Sequence, residues 1–311
     1  MACAASLLRV FLVVAACLVP ATLHAEPEHP LKPLLWKVEG PGVEKPAYLF
    51  GTIHIGKTAA AKLHPAADKA FKQATVLHTE APFDPATQTA SIGMLTRTDG
   101  KELAESIGPD LSKRVAEELK HINDELDSTP FQTVKTWYVA YMLPMLPYML
   151  DGAKPLDMAL WDRAEKAKKK TSGMQTPQEQ AIGFEELTEE EQTTLLKNTL
   201  VMMKKYRVER KDPMAELVTA YISGDIEQID AQATKSIEET FHGEDKALGE
   251  RLLKSILTDR DAIMTDYIDA TLKKSPAEVH FFAAGAAHYT GKESVRVRLE
   301  RRGYKVTRIE E

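Results

Sequence analysis

The sequence predicts an α/β fold of the α+β kind, in which the N- and C-terminal segments form one mixed β-sheet around a large helical insertion. Three observations predict it. Apolar runs with strand character lie near both ends of the chain. The intervening residues, about 85–275, repeat apolar side chains at helical spacing. A Gly-x-x-His motif follows an apolar run at each end, at 51–54 and at 285–288, so both histidines are expected at the edge of one sheet.

The first 25 residues are predicted to be an export signal that is removed. A basic residue precedes the apolar run Val10–Val19, and a cleavage site is predicted after Ala25. The run is too short for a permanent membrane anchor. A lipoprotein signal that uses Cys17 is the alternative, ranked second because the sequence stays apolar after this cysteine. We therefore expect an exported protein, periplasmic or secreted, in which residues 26–311 form a single domain.

Composition narrows the chemistry and the partners. Both cysteines, Cys3 and Cys17, lie in the signal, so the mature chain would have no disulfide and no thiolate, and any metal would need His, Asp or Glu ligands. Without the signal the chain has 39 basic and 46 acidic residues, which argues against nucleic acid as a partner. No later segment is long and apolar enough to span a membrane. A peptide or small-molecule substrate remains the expected partner, and the oligomeric state is open.

The predicted domain begins with a hairpin. Leu34–Glu39 and Ala47–Ile53 have strand character, and Pro41-Gly42 between them predicts a turn, so the two strands are expected to be antiparallel. A helix is predicted over Pro65–Ala74, because proline is favoured in a first helical turn and the apolar side chains share one face. Thr75–Glu80 is predicted to be a third strand.

The insertion is predicted to be mostly helical. Thr188 and Glu191 form a capping box, which marks the start of a helix. Asp212-Pro213 predicts another helix start, and Gly224 predicts a helix stop. The basic residues Lys166–Lys170 are interpreted as a solvated helix face with its last turn. Two apolar stripes predict buried helix faces: Leu156, Leu160, Ala164 and Ala167 in one, and Leu195, Leu196, Leu200 and Met203 in the other.

The C-terminal segment returns to strand patterns. Val279–Ala284 is predicted to be the fourth strand and Lys292–Arg302 an amphipathic helix. Gly303 is expected to end that helix as a C-cap glycine, and Tyr304–Ile309 alternates as a final strand. Residues far apart in sequence must therefore meet in one sheet.

Three side chains at strand ends form the candidate site. His54 follows the second strand, His288 follows the fourth, and Glu80 ends the third. A single histidine after a glycine is as often a turn residue as a site residue, but two in the same context favour a shared site. Glu80 is either a solvated strand end or the acidic partner of these histidines. His78, which shares a strand face with Glu80, is interpreted as a partly exposed strand residue.

Several segments match one known family. They are Leu35–Val38, Leu49–His54, Ala74–Glu80, Leu156-Asp157, Gln180, Arg260, Phe282–His288, Gly291 and Gly303–Val306. On these motifs the chain resembles the TraB/GumN family, which also includes the Tiki proteins of animals. The resemblance covers nearly all of the mature chain; it is strong at both ends and thin in the helical middle.

The resemblance implies a mixed sheet with a helical insertion, a fold shared with hydrolases of the erythromycin-esterase type. It also implies a metal-dependent hydrolase site made by the two Gly-x-x-His motifs and an acidic residue, and the animal members are described as metalloproteases. In this sequence His54, Glu80 and His288 occupy the matching positions.

Two imidazoles and a carboxylate can hold a divalent ion, here Mn, Co or Zn by ligand type, and leave positions open for water and substrate. Such an ion lowers the pKa of water from about 15.7 towards about 7, which supplies a nucleophile at neutral pH. We expect hydrolysis of an amide, peptide or ester bond, with His54 and His288 as ligands and Glu80 as third ligand or general base. Arg260 is either a stabiliser of the developing oxyanion or a helix-surface ion-pair residue.

Two positions depart from the family pattern. Gln175 stands where the family usually has Glu, and Asp261 follows Arg260 where the family often has Asn. Gln175 carries no charge, so it is a poor metal ligand and no general base. Asp261 could restore an acidic group nearby, but a helix-surface aspartate is the commoner case and is expected here. The alternative function is therefore an exported protein that binds a peptide or signalling ligand without cleaving it. Metal-free hydrolysis by a histidine acid–base pair is a third hypothesis.

Overall fold

The computed structural model describes residues 27–56 and 58–310. The predicted export signal, with its cleavage site after Ala25 and the alternative lipidation site Cys17, lies outside the described residues.

A mixed six-stranded sheet organises the fold, as predicted. Its strands are β1 (Leu35–Glu39), β2 (Ala47–Thr52), β3 (Val76–Thr79), β4 (Lys170–Gly173), β5 (His280–Gly285) and β6 (Lys305–Ile309). They lie in the order β4-β3-β5-β2-β1-β6. β1 is antiparallel to both β2 and β6, whereas β5 is parallel to β2 and β3, and β4 is parallel to β3. The C-terminal strand β5 therefore lies between two N-terminal strands, and the carboxyl ends of the four parallel strands β2, β3, β4 and β5 point to one edge.

The helices of the described chain fall mostly within the insertion. They are α1 (Pro65–Gln73), α2 (Pro85–Leu95), α3 (Leu103–Ile122), α4 (Thr136–Met142), α5 (Leu146–Leu150), α6 (Leu156–Lys166), α7 (Pro177–Glu185), α8 (Glu189–Val208), α9 (Ala215–Ser223), α10 (Ile226–Thr240), α11 (Lys246–Leu253), α12 (Arg260–Lys274) and α13 (Val295–Arg301). A π-helical segment, Lys254–Asp259, joins α11 to α12. Such segments are frequent at functional sites, and this one ends directly before Arg260.

Most local predictions are confirmed by the helix ends. The hydroxyl of Thr188 accepts from the Glu191 amide while the Glu191 carboxylate accepts from the Thr188 amide, which is the predicted capping box at the start of α8. Gly224 ends α9 with a φ of +68°, a left-handed conformation that favours glycine. The predicted start at Asp212-Pro213 is displaced, because α9 begins at Ala215. The two apolar stripes are buried except for Ala167, which is exposed.

The sequence missed one strand. The prediction treated Lys166–Lys170 as a helix end and its last turn, yet Lys170 begins β4, which pairs with β3 at the edge of the sheet. The four residues of β4 contain no apolar side chain, so neither alternation nor an apolar run indicated a strand there. β4 matters for the site because it leads directly to Gln175.

Two hydrophobic clusters of buried residues hold the structure together. One surrounds the sheet and includes Trp36, Leu49 and Phe282. The other lies within the insertion and includes Leu119, Trp137 and Leu196. In the part of the chain that is described, no helix has the length and apolar character needed to cross a membrane.

Candidate active site

The sheet brings the two Gly-x-x-His motifs together. β2 and β5 are parallel neighbours with Thr52 opposite Gly285, so the residues that follow them emerge at the same edge. β3 lies on the other side of β5, and Glu80 follows it directly. Nε2 of His54 lies 3.6 Å from Oε1 of Glu80, and Nε2 of His288 lies 3.9 Å from Oε2 of the same carboxylate. The three predicted site residues therefore face one another.

Each histidine is fixed by an aspartate on its other ring nitrogen. Nδ1 of His54 donates to Oδ2 of Asp157 at 2.9 Å, and Nδ1 of His288 donates to Oδ1 of Asp261 at 2.7 Å. Asp157 lies in the first turn of α6 and Asp261 in the first turn of α12. Both aspartates therefore direct the Nε2 atoms towards Glu80, because the hydrogen bond at Nδ1 fixes ring orientation.

Glu80 is the buried centre of the site. Its Oε1 accepts from the Gly285 amide at 2.6 Å, and its Oε2 accepts from the Arg260 guanidinium and, at 3.3 Å, from the Gln180 side-chain amide. Burial alone would raise the pKa of Glu80, but the charge of Arg260, supported by His54 and His288, holds this pKa well below its usual range. Glu80 is therefore an ionised carboxylate inside the protein.

His54 is the open side of the site. Its side chain is 42% exposed, whereas those of Glu80 and His288 are 6% and 5% exposed. Desolvation within the cleft favours the neutral ring, but the carboxylates of Asp157 and Glu80 outweigh it and raise the pKa of His54 well above its usual value. A substrate would therefore approach from the His54 side.

Arg260 joins Glu80 to Gln175. Its Nε and Nη2 donate to Oε1 of Gln175 at 3.1 Å and 2.9 Å, while Nη2 also pairs with Glu80. The Gln175 amide donates to the Glu80 carbonyl, which continues the pairing of β4 with β3. Nε2 of Gln175 is buried and has no hydrogen-bond partner within the described part of the chain. The Arg260 side chain is 12% exposed, so its ion pair with Glu80 is largely buried and does not lie on a helix surface.

Two predicted placements are wrong. Asp261 was expected on a helix surface, but it is 4% exposed, and burial raises its pKa despite the neighbouring His288. His78 was expected to be partly exposed, but it is 3% exposed and its ring nitrogens bond to Tyr267 and His280. His78 therefore belongs to a buried network beside the site and does not enter it.

One residue of the site, Asp157, was not predicted. It lies within a segment that carried the family resemblance, but no pattern in the sequence indicated a role for it. Its 103-residue separation from His54 offers no local pattern that links the two.

Gly285 leaves space between the three central side chains. A Cβ placed on it would lie 3.2 Å from Oε1 of Glu80, 3.4 Å from Nε2 of His54 and 3.7 Å from Cδ2 of His288. Within residues 27–56 and 58–310, no three or more His, Cys, Asp or Glu side chains form a ready-made cluster that could hold a metal ion. The site thus offers suitable donors around a small space without a fully assembled ligand set.

Comparisons with known proteins give one consistent result. A model of the TraB/PrgY/gumN family matches residues 34–308. Metalloprotease TIKI1 of Danio rerio is 25% identical over 90% of this chain and 64% of its own length. Metalloprotease TIKI1 of Homo sapiens is 23% identical over 92% of this chain and 64% of its own length. Metalloprotease TIKI2 of Xenopus tropicalis is 24% identical over 89% of this chain and 60% of its own length. The chain thus spans about three fifths of the length of these relatives. No solved structure matches it significantly.

Proposed function

The chain belongs to the TraB/PrgY/gumN family, and on that basis we propose that it is an exported, metal-dependent hydrolase that cleaves an amide, peptide or ester bond. One observation carries the proposal: His54 and His288, both held at Nδ1 by aspartates, present Nε2 to the buried carboxylate of Glu80. The relatives named metalloproteases support the same class of reaction.

The donors fit a divalent ion. Histidines that bind metal ordinarily donate their second ring nitrogen to a carboxylate, as His54 and His288 do here. The small space above Gly285, which is too tight for an unstrained Cβ, is flanked by both histidines and by Glu80. His54 and His288 would hold the ion, and Glu80 would complete the set on loosening its pair with Arg260. The ligand types suit Mn, Co or Zn.

The residues divide the chemistry among them. A bound divalent ion would activate water as the nucleophile and polarise the scissile carbonyl. Glu80 is already ionised, as a third ligand or general base must be, and it would gain proton affinity as its pair with Arg260 loosens. Asp157 and Asp261 keep the imidazoles in the correct tautomer. Arg260 is the cation nearest to Glu80 and would stabilise negative charge that develops on the substrate oxygen.

Metal content and hydrolysis measured on matched histidine variants test this proposal. The wild type and His121→Ala, which removes an exposed histidine on α3, should bind Mn, Co or Zn close to one ion per chain. His54→Ala and His288→Ala should each lose the ion and the hydrolysis of a mixed peptide and ester panel. Unchanged metal content and hydrolysis in both site variants would contradict the proposal.

A second candidate function is a cleft that binds a peptide or signalling ligand without cleaving it. The observation that favours it is Gln175, which bonds to Arg260 through a neutral oxygen at the position where the family usually has Glu. Gln175→Glu separates the two candidates. If Gln175 alone impairs an otherwise competent site, the variant should gain or increase hydrolysis; if the chain is a binding protein, ligand binding should persist and hydrolysis should stay absent.

A further inference from the structure

A cavity of about 420 Å³ extends from the candidate site into the helical insertion. His54, Glu80, Asp157 and Arg260 line one end of it, and the remaining wall comes mainly from apolar side chains of α2, α4, α6 and α7. Binding sites for small ligands have this size and this combination of an apolar wall with a few polar groups. A substrate with its scissile bond at His54 would therefore have an adjoining group inside this cavity.

Four aromatic rings form the most regular part of the wall. Trp137, Tyr138 and Tyr141 come from α4, and Phe184 comes from α7. Trp137 stacks on Phe184 with ring centroids 4.9 Å apart, and Tyr141 meets Phe184 edge to face at 5.9 Å. Tyr138 and Tyr141 are stacked at 6.2 Å. Because the rings pack on one another, they form an aromatic surface before any ligand arrives.

Charge is confined to one end of the cavity. Among the lining residues, the ionisable groups other than tyrosine are His54, Glu80, Asp157 and Arg260, all at the site. A negatively charged substrate group placed against the aromatic wall would lose hydration without gaining a partner, because the faces of aromatic rings carry partial negative charge. Tyr141, which remains 46% exposed, offers apolar surface that a bound ring would cover.

We propose that this cavity is the subsite for a bulky apolar side chain, preferentially aromatic, of a peptide substrate, next to the bond that is cleaved. Tyr141 and Phe184 are its specificity-determining residues. The inference rests on the proposed hydrolase function for the position of the scissile bond. Side-chain selection itself depends only on the aromatic wall, and it can therefore be measured as binding.

Three blocked tetrapeptides test the subsite: acetyl-Ala-Phe-Ala-Ala-amide and the same peptide with Asp or Ala in place of Phe. Calorimetry measures binding to the full chain, with and without added Mn, Co or Zn, and chromatography measures cleavage in the same samples. The Phe peptide should bind at least roughly tenfold more tightly than the Asp peptide. The gain or loss of one apolar group that fits a hydrophobic pocket changes discrimination between substrates by about 10- to 200-fold.

Variants at Tyr141 connect the preference to the wall. Tyr141→Ala and Phe184→Ala should each reduce the preference for Phe roughly tenfold, whereas Tyr141→Phe, which keeps the ring, should retain it. Tyr141→Lys should weaken the binding of the Phe peptide and strengthen the binding of the Asp peptide. Tyr206→Ala, at a tyrosine on α8 outside the cavity, is the matched control and should change nothing. Circular dichroism checks that each variant is folded. The Tyr141 variants should fold, because this side chain is half-exposed.

The outcomes separate the two proposals. Preferential binding of the Phe peptide without cleavage supports the subsite and contradicts the hydrolase. Cleavage of the three peptides at similar rates, with similar affinities, overturns the subsite and leaves the hydrolase standing. A preference for Phe that survives both Tyr141→Ala and Phe184→Ala also overturns the assignment of these residues.

Discussion

Gly285→Ala should fill the centre of the candidate site while leaving the fold intact. The backbone at Gly285 has φ −48° and ψ 135°, which alanine adopts without strain. The added methyl carbon would lie 3.2 Å from Oε1 of Glu80 and 3.4 Å from Nε2 of His54, which is closer than ordinary van der Waals contact. The amide that donates to Glu80 is kept. The substitution therefore tests the space between the donors and little else.

The size of the effect follows from the contacts. Overpacking a filled site costs about 1–3 kcal/mol. When no ion is present, the half-exposed ring of His54 can move away, so the free energy of unfolding should change by less than about 2 kcal/mol, including the gain of about 0.4–1 kcal/mol from replacing glycine. When an ion fixes both histidines, the full cost applies. Metal affinity falls by this cost less whatever the ion-free chain already bears; since about 1.4 kcal/mol corresponds to a tenfold change, the fall should be up to about 150-fold.

Calorimetric titration with Mn, Co and Zn measures this affinity, and thermal unfolding measures the stability of the same variant. Gly93→Ala is the matched control, because a Cβ at this helical glycine would meet no atom within 4 Å. It should stabilise α2 by about 0.5–1 kcal/mol and leave metal binding unchanged. Metal affinity and hydrolysis at the wild-type level in Gly285→Ala would refute the placement of the ion between these side chains.

Two further predictions concern buried groups around the site. Asp261→Ala removes the acceptor of His288 Nδ1 and should lower metal affinity about 10- to 100-fold. Asp261→Asn keeps an oxygen acceptor and should lower metal affinity less. Equal losses of affinity in metal titrations of the two variants would contradict the positioning role. His78→Phe should reduce the loss of stability at acid pH. Burial next to His280 lowers the pKa of His78 to about 3, so below about pH 6.5 the unfolded chain binds a proton that the folded chain does not. The free energy of unfolding of the wild type therefore falls by about 1.4 kcal/mol per pH unit down to about pH 3. Urea unfolding between pH 6.5 and 5 should therefore show about 2 kcal/mol less loss in the variant than in the wild type, and identical pH slopes would contradict this.

The sheet and its edge could be predicted because their signals are local. A run of residues that is buried on both faces indicates a strand, as in β2, β3 and β5, and in β2 and β5 the run also reaches a glycine near its end. Once these strands share a sheet, the residues that follow them must lie close together, whatever separates them along the chain. The close approach of His54, Glu80 and His288 could therefore be predicted without knowledge of the helices.

The partners of these side chains could not be predicted in the same way. Asp157 and Asp261 lie on helices of the insertion, and nothing in their spacing indicates which face of α6 or α12 meets the sheet. A charged residue in a first helical turn is ordinarily solvated and favoured by the helix dipole, so the surface placement of Asp261 was the reasonable expectation. Only the position of the first turn of α12 beside the segment that follows β5 makes it a buried acceptor for His288. β4 was not predicted for a related reason, because its polar residues form a strand only by pairing with β3.

Arg260 and Gln175 determine how readily the Glu80 carboxylate could bind a metal ion. The buried carboxylate needs a positive partner, and without an ion Arg260 and His54 supply it. An incoming divalent ion must compete with the guanidinium for the same oxygens. A glutamate at position 175 would give Arg260 an anionic partner of its own and so weaken its hold on Glu80. The neutral oxygen of Gln175 offers only a hydrogen bond, which leaves Glu80 as the anion that Arg260 must neutralise. If the proposed function holds, Gln175→Glu acts on metal binding through Arg260, and metal affinity should change in the same direction as hydrolysis.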